Sequence, residues 1–354
     1  MILNQNSDFL YLFQSTLSNP NGDPDQENKP RMDYETSTLL VSDNRRKRDI
    51  RDYLKNKGYK IFVDTLSDQK VPMDKMFYFI RDAWLDDKEK MDILFSDNPY
   101  LKSFWEKLFN ESENYSENYK DLYLKREEQL KKNKDFTKFN NEFLTEIIKR
   151  ELIDIRLFGS AMAVGGVSKT FTGPVQISWG YSLHPVEFVK SSTITSIMND
   201  DSSTFGKKYK VHYALIAHYG TINKYSAKQT GMSEKDRDIF RKAIVQSIMT
   251  NQTDTKQGQE PLLYLEIVYK PDFDGYIGDL RRFINTKQHK ETIRRLDDIT
   301  VDFDKLKKTI NEMIKMGYIE KVIGWKHPFV REESLINIPE YEEMDLYAPL
   351  KMEG

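Results

Sequence analysis

Three neighbouring segments decide the fold: KYKVHYALIAHYGTI (208–222), SEKDRDIFRKAIVQSIM (233–249) and PLLYLEIVYK (261–270). The first and third are rich in β-branched and aromatic residues, which favour strands. The middle segment places Ile239, Phe240, Ala243, Ile244 and Ile248 on one apolar face, which predicts a helix. Ser233 with Asp236 resembles a capping box at its start, with Asp in place of the usual Glu. The order is therefore strand, helix, strand.

A second set of segments extends this pattern on both sides. FLYLF (9–13) is a short apolar run compatible with a buried strand, and NRRKRDIRDYLKNKG (44–58) predicts a helix that Gly58 ends. LIDIRLFG (152–159) and VQISWGYSL (175–183) are interpreted as strands around a glycine-rich loop. Together these segments predict an α+β fold with a ferredoxin-like, or RRM-like, sheet.

The remaining segments indicate how the chain is divided. Residues 72–150 contain mixed charges and aromatics but no glycine, which predicts a helical insertion into a core formed by residues 1–71 and 151–300. SSTITSIMNDDSSTFGKKYKV (191–211) alternates in polarity around a turn-rich centre and predicts a protruding hairpin, about 191–210. The segment after Asp279 is interpreted as mostly helical, so that 301–354 forms a helical segment with an acidic tail.

Composition excludes several classes of protein. The chain has 354 residues, of which 38% are hydrophobic and 31% charged, and these values are typical of a globular protein. It has no cysteine, which excludes disulfides, thiolate zinc sites and a cysteine nucleophile. No apolar run is long enough to span a membrane, and the N-terminus lacks signal-peptide features, so a cytoplasmic protein is expected. The net charge of −2 does not itself indicate nucleic-acid binding.

The helix at 44–58 carries the most informative charge pattern. At 100° per residue one face contains Asn44, Lys47, Arg48, Arg51 and Lys55, while Ile50, Tyr53 and Leu54 lie opposite and are expected to pack on the sheet. Cations beside the amides of a helix N-terminus, with the short side chains of Ser42 and Asn44, suit a nucleic-acid backbone. The alternative is a solvated basic face partly neutralised by Asp43, Asp49 and Asp52. Charge alone favours that alternative.

The loop LSNPNGDPDQENKPR (17–31) is dense in residues that form turns. Asp23, Asp25 and Glu27 alternate as in a calcium loop, but position six is Asn28 rather than Gly and position twelve is Tyr34. Calcium binding is therefore not expected. A rigid loop that displays Asn19, Asn21 and Arg31 remains as the interpretation.

Two further segments are candidate contact surfaces. FGSAMAVGGVSKTFTGPVQISWGYS (158–182) has glycine pairs around a polar span that includes Lys169, yet it matches neither a P-loop nor a dinucleotide fingerprint, and a hairpin connection is the simpler interpretation. The hairpin at 191–211 carries Met198 and Phe205, which could wedge between bases or contact a neighbouring subunit, and Lys207 follows in its returning strand. The alternative is an ordinary mobile hairpin. The five histidines have no metal-binding spacing and are interpreted as structural.

Several of these motifs occur together in a known order. SNPNGDPDQENKPR, VSDNRRKRDIRDYL, DIRLFGSAM, FTGPVQISWGYSLHPV and TFGKKYKVHYALIAHYGTINKYSAKQTGMSEKD resemble the Cascade backbone subunit of type I CRISPR effectors, closest to subtype I-B. The resemblance covers residues 9–60 and 151–285. It implies a member of the RAMP superfamily with an RRM-like palm, a helical finger (72–150) and a thumb hairpin (191–210).

The resemblance also implies partners and site residues. Its members stack head-to-tail along a CRISPR guide RNA, present the guide bases to the target DNA strand, and are capped by other Cascade subunits. It assigns no catalytic residue, metal, cofactor or membrane partner. The residues that it and the helix geometry place at the RNA are Asn19, Asn21, Arg31, Ser42, Asn44, Arg45, Lys47, Arg48, Arg51, Lys169, Gln176, Met198, Phe205 and Lys207. The alternatives are a RAMP endoribonuclease that uses Asp23, Asp25 or Asp33, and an interaction protein that binds no RNA.

Overall fold

The structure is a computed structural model that describes residues 1–62, 73–109, 118–164, 167–190, 193–196 and 204–352. The chain divides into two units. The sheet unit contains Met1–Tyr59, Pro174–Lys228 and Met232–Gly354, and the helical unit contains Lys60–Gly173 with Gln229–Gly231. None of the described helices combines the length and the apolar character that crossing a membrane requires.

The strands and helices are numbered in chain order. The strands are β1 (Ser7–Ser18), β2 (Gly22–Asp23), β3 (Lys29–Pro30), β4 (Met32–Asp33), β5 (Thr38–Val41), β6 (Gly159–Val164), β7 (Val167–Thr172), β8 (Val175–Ile177), β9 (Gly180–Ser182), β10 (Thr193–Ser196), β11 (Thr204–Lys207), β12 (Val211–Ile222), β13 (Gln259–Tyr269), β14 (Asn285–Gln288), β15 (Ile299–Asp302), β16 (Ile319–Lys326), β17 (Leu335–Ile336) and β18 (Glu342–Glu343). The helices are α1 (Asp43–Asn56), α2 (Met73–Asp86), α3 (Lys88–Asp97), α4 (Pro99–Phe109), α5 (Tyr119–Leu130), α6 (Lys134–Glu151), α7 (Ile153–Phe158), α8 (Lys224–Thr230), α9 (Glu234–Thr250) and α10 (Asp304–Lys315).

The main sheet is built around β1. Its strand order is β18-β16-β13-β1-β12-β9-β5-β4, and β8 pairs with β12 outside this path. The strand β1 is antiparallel to both neighbours, so that Tyr11 lies opposite His218 of β12 and Tyr264 of β13. Alternate residues of β1 point to opposite faces of the sheet. The mixed α+β fold expected from the sequence is therefore present.

Each face of β1 packs against a different set of elements. On one face, Phe9 contacts Phe240 of α9 with ring centroids 5.4 Å apart, and the Arg46 guanidinium of α1 lies over the Tyr11 ring. On the other face, Leu10 and Leu12 join a buried cluster that includes Leu306 of α10. The helices α1 and α9 therefore cover one face, and the C-terminal elements cover the other.

The helix ends predicted from the sequence are confirmed. The side chain of Ser233 accepts a hydrogen bond from the backbone of Asp236, and the Asp236 carboxylate accepts from the backbone of Ser233, which completes the capping box. The glycine that follows α1, Gly58, has a φ of 86°, in the left-handed region that glycine adopts without strain.

Three segments differ from the sequence-based expectation. The predicted strand at 152–159 is the helix α7. Its alternating Ile, Asp, Ile, Arg and Leu resemble the pattern of a strand with one polar face, but the polar residue Asp154 is buried and accepts a hydrogen bond from the Phe62 amide at 2.7 Å. The predicted strand at 175–183 is divided into β8 and β9. The segment after Asp279 is mostly not helical, since α10 is its one α-helix within the described residues and five strands accompany it.

The helical unit has an aromatic core of its own. Trp105 of α4 stacks with Phe109 at 4.2 Å between ring centroids, and Phe139 of α6 stacks with Phe143 at 5.4 Å. The helix α6 begins at the N-cap Asn133, whose side chain accepts from the amides of Asp135 and Phe136. The unit also contains the hairpin formed by β6 and β7.

Candidate nucleic-acid interface

The helix α1 presents the face that its sequence predicts. Ile50, Tyr53 and Leu54 are buried, whereas Asn44 is exposed. Ser42 is the N-cap residue, and its hydroxyl accepts from the Arg45 amide at 3.3 Å. The cap therefore fixes the start of the helix, and the polar row faces away from the core.

The cations of α1 are paired with acids of the same helix. Lys47 contacts Asp43 at 3.0 Å, Arg45 contacts Asp49, and Arg48 contacts Asp52. The partial neutralisation expected from the sequence is thus confirmed. The segment Asp43–Asn56 still has six cations and three carboxylates, a balance of +3. The helix therefore keeps a net positive charge, although several of its cations are paired with neighbouring carboxylates. Because these pairs hold the cationic side chains in place, an anion would bind to side chains that are already ordered.

Arg46 occupies a different environment from its neighbours in α1. It is 1% exposed, its guanidinium donates to Asp49 at 2.9 Å, and it lies over the rings of Tyr11 and Phe13. Such packing anchors a cation rather than presenting it. The helical period places Arg46 outside the exposed row, but no local pattern indicates that its side chain is buried between α1 and the sheet.

The loop that follows β1 is tied to the start of α1 by Asn21. The Asn21 side-chain oxygen accepts from both the Ser42 amide, at 2.8 Å, and the Ser42 hydroxyl, at 2.9 Å. Asn19 donates from its side chain to the Asn28 carbonyl at 2.9 Å. These two asparagines are 3% (Asn19) and 8% (Asn21) exposed, so their side chains shape the loop from within.

Lys256 supports the same loop and was not found from the sequence. Its ammonium nitrogen donates to the carbonyls of Asn19, at 2.6 Å, and Pro20, at 2.9 Å. Burial, followed by the charge of Arg45, lowers the pKa of Lys256 to about 7. The lysine belongs to a polar turn 237 residues away from Asn19, where no local pattern marks it.

Arg31 lies at the end of the loop beside an exposed aromatic side chain. Its guanidinium contacts Asp23 at 3.2 Å and lies 6.0 Å from the ring centroid of Trp179. Its backbone amide donates to the Asn21 carbonyl at 2.9 Å. Arg31 therefore connects the loop, the N-cap of α1 and the turn between β8 and β9.

Lys207 lies at the base of the β10–β11 hairpin and contacts the tip of the loop. Its ammonium group is 3.4 Å from Glu27, which also accepts from the Tyr209 hydroxyl at 2.8 Å. The hydrogen bond from Tyr209 and the charge of Lys207 lower the pKa of Glu27. Glu27 has a φ of 52°, a conformation that costs energy for a residue with a side chain. Lys207 is thus brought to the loop that carries Arg31.

For the other predicted site residues within the described ranges, the structure gives the element on which each residue lies. Gln176 is exposed on β8, and Arg51 is partly exposed on α1. Lys169 is in β7 opposite Met162, and Phe205 is in β11 opposite Thr195. Met198 lies outside the described residues. The structure therefore brings together Asn19, Asn21, Arg31, Ser42 and the cations of α1, and places Lys207 at the loop tip.

The histidines and loop aspartates make structural contacts. His218 is buried and its Nδ1 donates to the Ser178 carbonyl at 2.9 Å, while burial and the charge of Arg46 lower its pKa to about 3. His184 accepts the Leu215 amide at 3.2 Å. Both histidines therefore make structural contacts, although Nε2 of His218 is buried without a hydrogen-bond partner among the described residues. Asp33 accepts from the Glu35 amide and the Thr36 hydroxyl.

The bridge between Asn21 and Ser42 gives a testable prediction. Asn21→Ala removes the acceptor of two hydrogen bonds and leaves the Ser42 amide without its partner. We expect the free energy of unfolding to fall by about 1–3 kcal/mol, the cost of leaving a buried polar group unsatisfied. Urea denaturation followed by circular dichroism measures this. Asn44→Ala, at an exposed position of the same helix, is the control and should change stability by less than about 0.5 kcal/mol; equal effects would contradict the bridging role.

The fold of the chain is similar to that of a solved structure. The fold is that of a chain in a "CRISPR RNA-guided surveillance complex, pre-nicking", with a TM-score of 0.55, 14% identity, and 97% of each chain covered. The family model for CRISPR-associated protein Cas7 matches residues 5–304. The chain belongs to the Cas7 family. It is also similar to a CRISPR-associated protein Cas7 from Haloferax volcanii, at 22% identity over 316 residues that cover 87% of this chain and 83% of that protein.

Proposed function

We propose that this protein is a backbone subunit of a type I CRISPR surveillance complex, of subtype I-B, that binds guide RNA through its sugar-phosphate backbone. The observation that carries the proposal is the ordered positive row of α1 beside a loop fixed by Asn21 and Lys256, in a chain of the Cas7 family. The proposed contacts in the sheet unit are Asn44, Lys47, Arg48 and Arg51 on the helix face, with Arg31, Gln176 and Lys207. Lys169 of the helical unit is a further proposed contact.

The fold proposed for this role is an RRM-like palm made of residues 1–71 and 151–300. The adjacent antiparallel strands β1, β12 and β13, with α1 and α9 on one face, support it. Residues 72–150 form the finger, and the hairpin at about 191–210 forms the thumb, with Met198 and Phe205 contacting RNA. Residues 301–354 complete the chain as a C-terminal segment.

Binding to RNA would be independent of base sequence. Phosphates reaching α1 meet cations already held by Asp43, Asp49 and Asp52, so each phosphate competes with an ion pair within the helix. Pairs between residues four positions apart in one helix contribute only about 0.3–0.5 kcal/mol, so exchanging such a pair for a phosphate contact costs little. Because counterions are released from the RNA, affinity should fall as salt concentration rises.

The proposed partners follow from this mode of binding. Further copies of the chain stack head-to-tail along the guide RNA, other subunits cap the ends, and target DNA is recognised by pairing with the exposed guide bases. The similarity in fold to a chain of an RNA-guided surveillance complex supports these partners. The net charge of −2 limits the repulsion between copies.

We propose that the subunit does not cleave RNA. Asp23 pairs with Arg31 and caps the 3₁₀ turn that follows it, and Asp33 holds the turn at Glu35 and Thr36, so both carboxylates have structural partners. Incubation of the assembly with complementary RNA and a divalent cation tests this. Regular cuts that Asp23→Ala, Asp25→Ala or Asp33→Ala abolish would establish the nuclease alternative instead.

The experiment that tests RNA binding is purification followed by nucleic-acid analysis. The protein expressed with a CRISPR array should co-purify with RNA, seen as strong absorbance at 260 nm that ribonuclease removes. Sequencing should recover guide RNA. Preparations free of nucleic acid, and no retention of added guide RNA at low salt, would contradict the proposal and favour a protein that binds no RNA.

A further inference from the structure

One tryptophan differs from the others in its exposure. The chain has four, and Trp84, Trp105 and Trp325 are 6%, 4% and 3% exposed, whereas Trp179 is 46% exposed. An indole is expensive to leave in water, because its large apolar surface gains stability from burial. A half-exposed tryptophan that belongs to neither of the two hydrophobic clusters described around Trp105 and Leu306 points to a binding role.

The backbone on both sides of Trp179 is held rigidly. Ser178 donates from its amide and from its hydroxyl to the Tyr219 carbonyl, each at 2.8 Å, and its own carbonyl accepts from His218. Gly180 lies so close to the His218 ring that a Cβ there would come within 2.6 Å of it. The ring is thus presented from a preorganised turn, which lowers the entropy lost on binding.

The carbonyl of Trp179 is also fixed. Arg281, which is largely buried, donates to it at 2.7 Å, while the same guanidinium is held by Asp279 and lies 4.2 Å from the centroid of the Tyr181 ring. The position of Trp179 is therefore determined by contacts from three segments of the sheet unit. A surface residue with no binding role would not require contacts from this many segments.

A cation lies next to the exposed ring. The Arg31 guanidinium is 6.0 Å from the Trp179 ring centroid, and Arg31 Nε is buried without a hydrogen-bond partner among the described residues. The amide of Arg31 donates to Asn21, whose side chain accepts from Ser42 at the N-terminus of α1. Trp179 is therefore connected through Arg31 and Asn21 to the basic helix.

We propose that Trp179 is a stacking platform for a nucleobase of single-stranded RNA, with Arg31 as the cation beside it. The inference rests on the proposed RNA-binding function and adds to it a contact with a base rather than with phosphate. Every base has a π-face, so an indole binds it without selecting the sequence. The connection of the ring to the basic helix through Arg31 and Asn21 favours RNA over a second copy of the chain as its partner.

The test uses the intrinsic fluorescence of the protein, because Trp179 is the accessible tryptophan. The probes are a 12-nucleotide oligoadenylate and an abasic strand of the same length, added to full-length protein from which RNA has been removed. Oligoadenylate should quench the tryptophan emission and shield Trp179 from quenching by iodide, and the abasic strand should do neither. Trp179→Phe should abolish both changes.

Affinity measured by fluorescence anisotropy provides the second readout. Trp179→Ala should weaken binding of oligoadenylate by about tenfold and leave the abasic strand unaffected, as expected for the loss of one stacked base. Trp179→Phe keeps a ring and should retain most of the affinity. Arg31→Ala should weaken binding of both strands. Phe329→Ala, at another exposed aromatic side chain, is the matched control and should change neither.

The outcomes separate this inference from the function on which it rests. If both strands bind with salt-dependent affinity and Trp179→Ala affects them equally or not at all, the stacking platform is wrong and RNA binding stands. If neither strand binds, both proposals are wrong. If Trp179→Ala instead lowers self-association in the absence of RNA, with no preference between the strands, the ring contacts a second copy and the platform is again wrong.

Discussion

Replacing Lys47 and Arg51 of α1 with alanine is expected to lower the affinity for single-stranded RNA about a hundredfold at low salt. Each change removes one charged contact to a phosphate, worth roughly tenfold. The slope of log affinity against log salt should become shallower by about 1.4, since a single strand loses about 0.7 per phosphate contact. Folding should be little affected, because the Lys47–Asp43 pair joins residues four positions apart in one helix, and such pairs contribute only about 0.3–0.5 kcal/mol.

The measurement is a titration of fluorescent single-stranded RNA at several salt concentrations. A matched control exists in α10, where Lys308 follows Asp304 with the same spacing as Lys47 follows Asp43. Lys305→Ala with Lys308→Ala removes the same number of charges from another exposed helix. If this control weakens binding as much as the α1 variant, only net charge matters. If neither variant does, the face of α1 is merely solvated, and the proposed site is wrong.

Local patterns were sufficient to predict α1 and α9. Their buried residues recur at helical spacing, and their ends are set by Ser42, Gly58 and the Ser233–Asp236 box, all of which lie within the same segment of sequence. The α+β class also followed from the order of such elements. These features were predictable because the interactions that fix them join residues that are close together in the sequence.

The contacts that organise the candidate site join distant segments and were not predictable. Lys256 holds Asn19 across 237 residues, and Arg31 meets Trp179 only because the sheet brings the β1 loop beside the turn after β8. The asparagines expected to face RNA are instead buried, because the loop needs them for its own shape. The helix α7 was missed because its surroundings bury both sides of the segment, so that its alternation carried no information on which face is exposed.

A buried ion pair in the sheet unit carries the largest expected effect on stability. Glu266 of β13 is fully buried and accepts from the Arg241 Nε of α9 at 2.6 Å and from the Tyr264 hydroxyl at 2.9 Å. Burial alone would raise the pKa of Glu266, but the charge and hydrogen bond of Arg241 outweigh burial and lower this pKa to about 2. The pair joins the helix to the centre of the sheet.

Arg241→Met is expected to lower the free energy of unfolding by about 3–5 kcal/mol, because Glu266 is left buried without its ionic partner. Combining it with Glu266→Leu should restore most of this loss, since both charges are then absent. Native-state hydrogen exchange of β13 peptides measures the effect within the sheet unit. If the double variant is as unstable as the sum of the single variants, packing of Arg241, and not its charge, stabilises the interface.

The depressed pKa of Glu266 also predicts how this effect depends on pH. A carboxyl whose pKa is lower in the folded state contributes stability that is complete above its unfolded pKa, near 4.5, and that is lost as pH falls towards about 2. Arg241→Met removes the largest cause of the depression, while the charge of Arg237 remains. The unfolded states are alike, so the difference in stability between wild type and Arg241→Met depends on the folded-state pKa of Glu266 in each protein; it should shrink as pH falls from the burial-raised pKa of the variant, above 4.5, towards about 2. A difference that persists unchanged to pH 2 would mean that the interaction does not require the Glu266 charge.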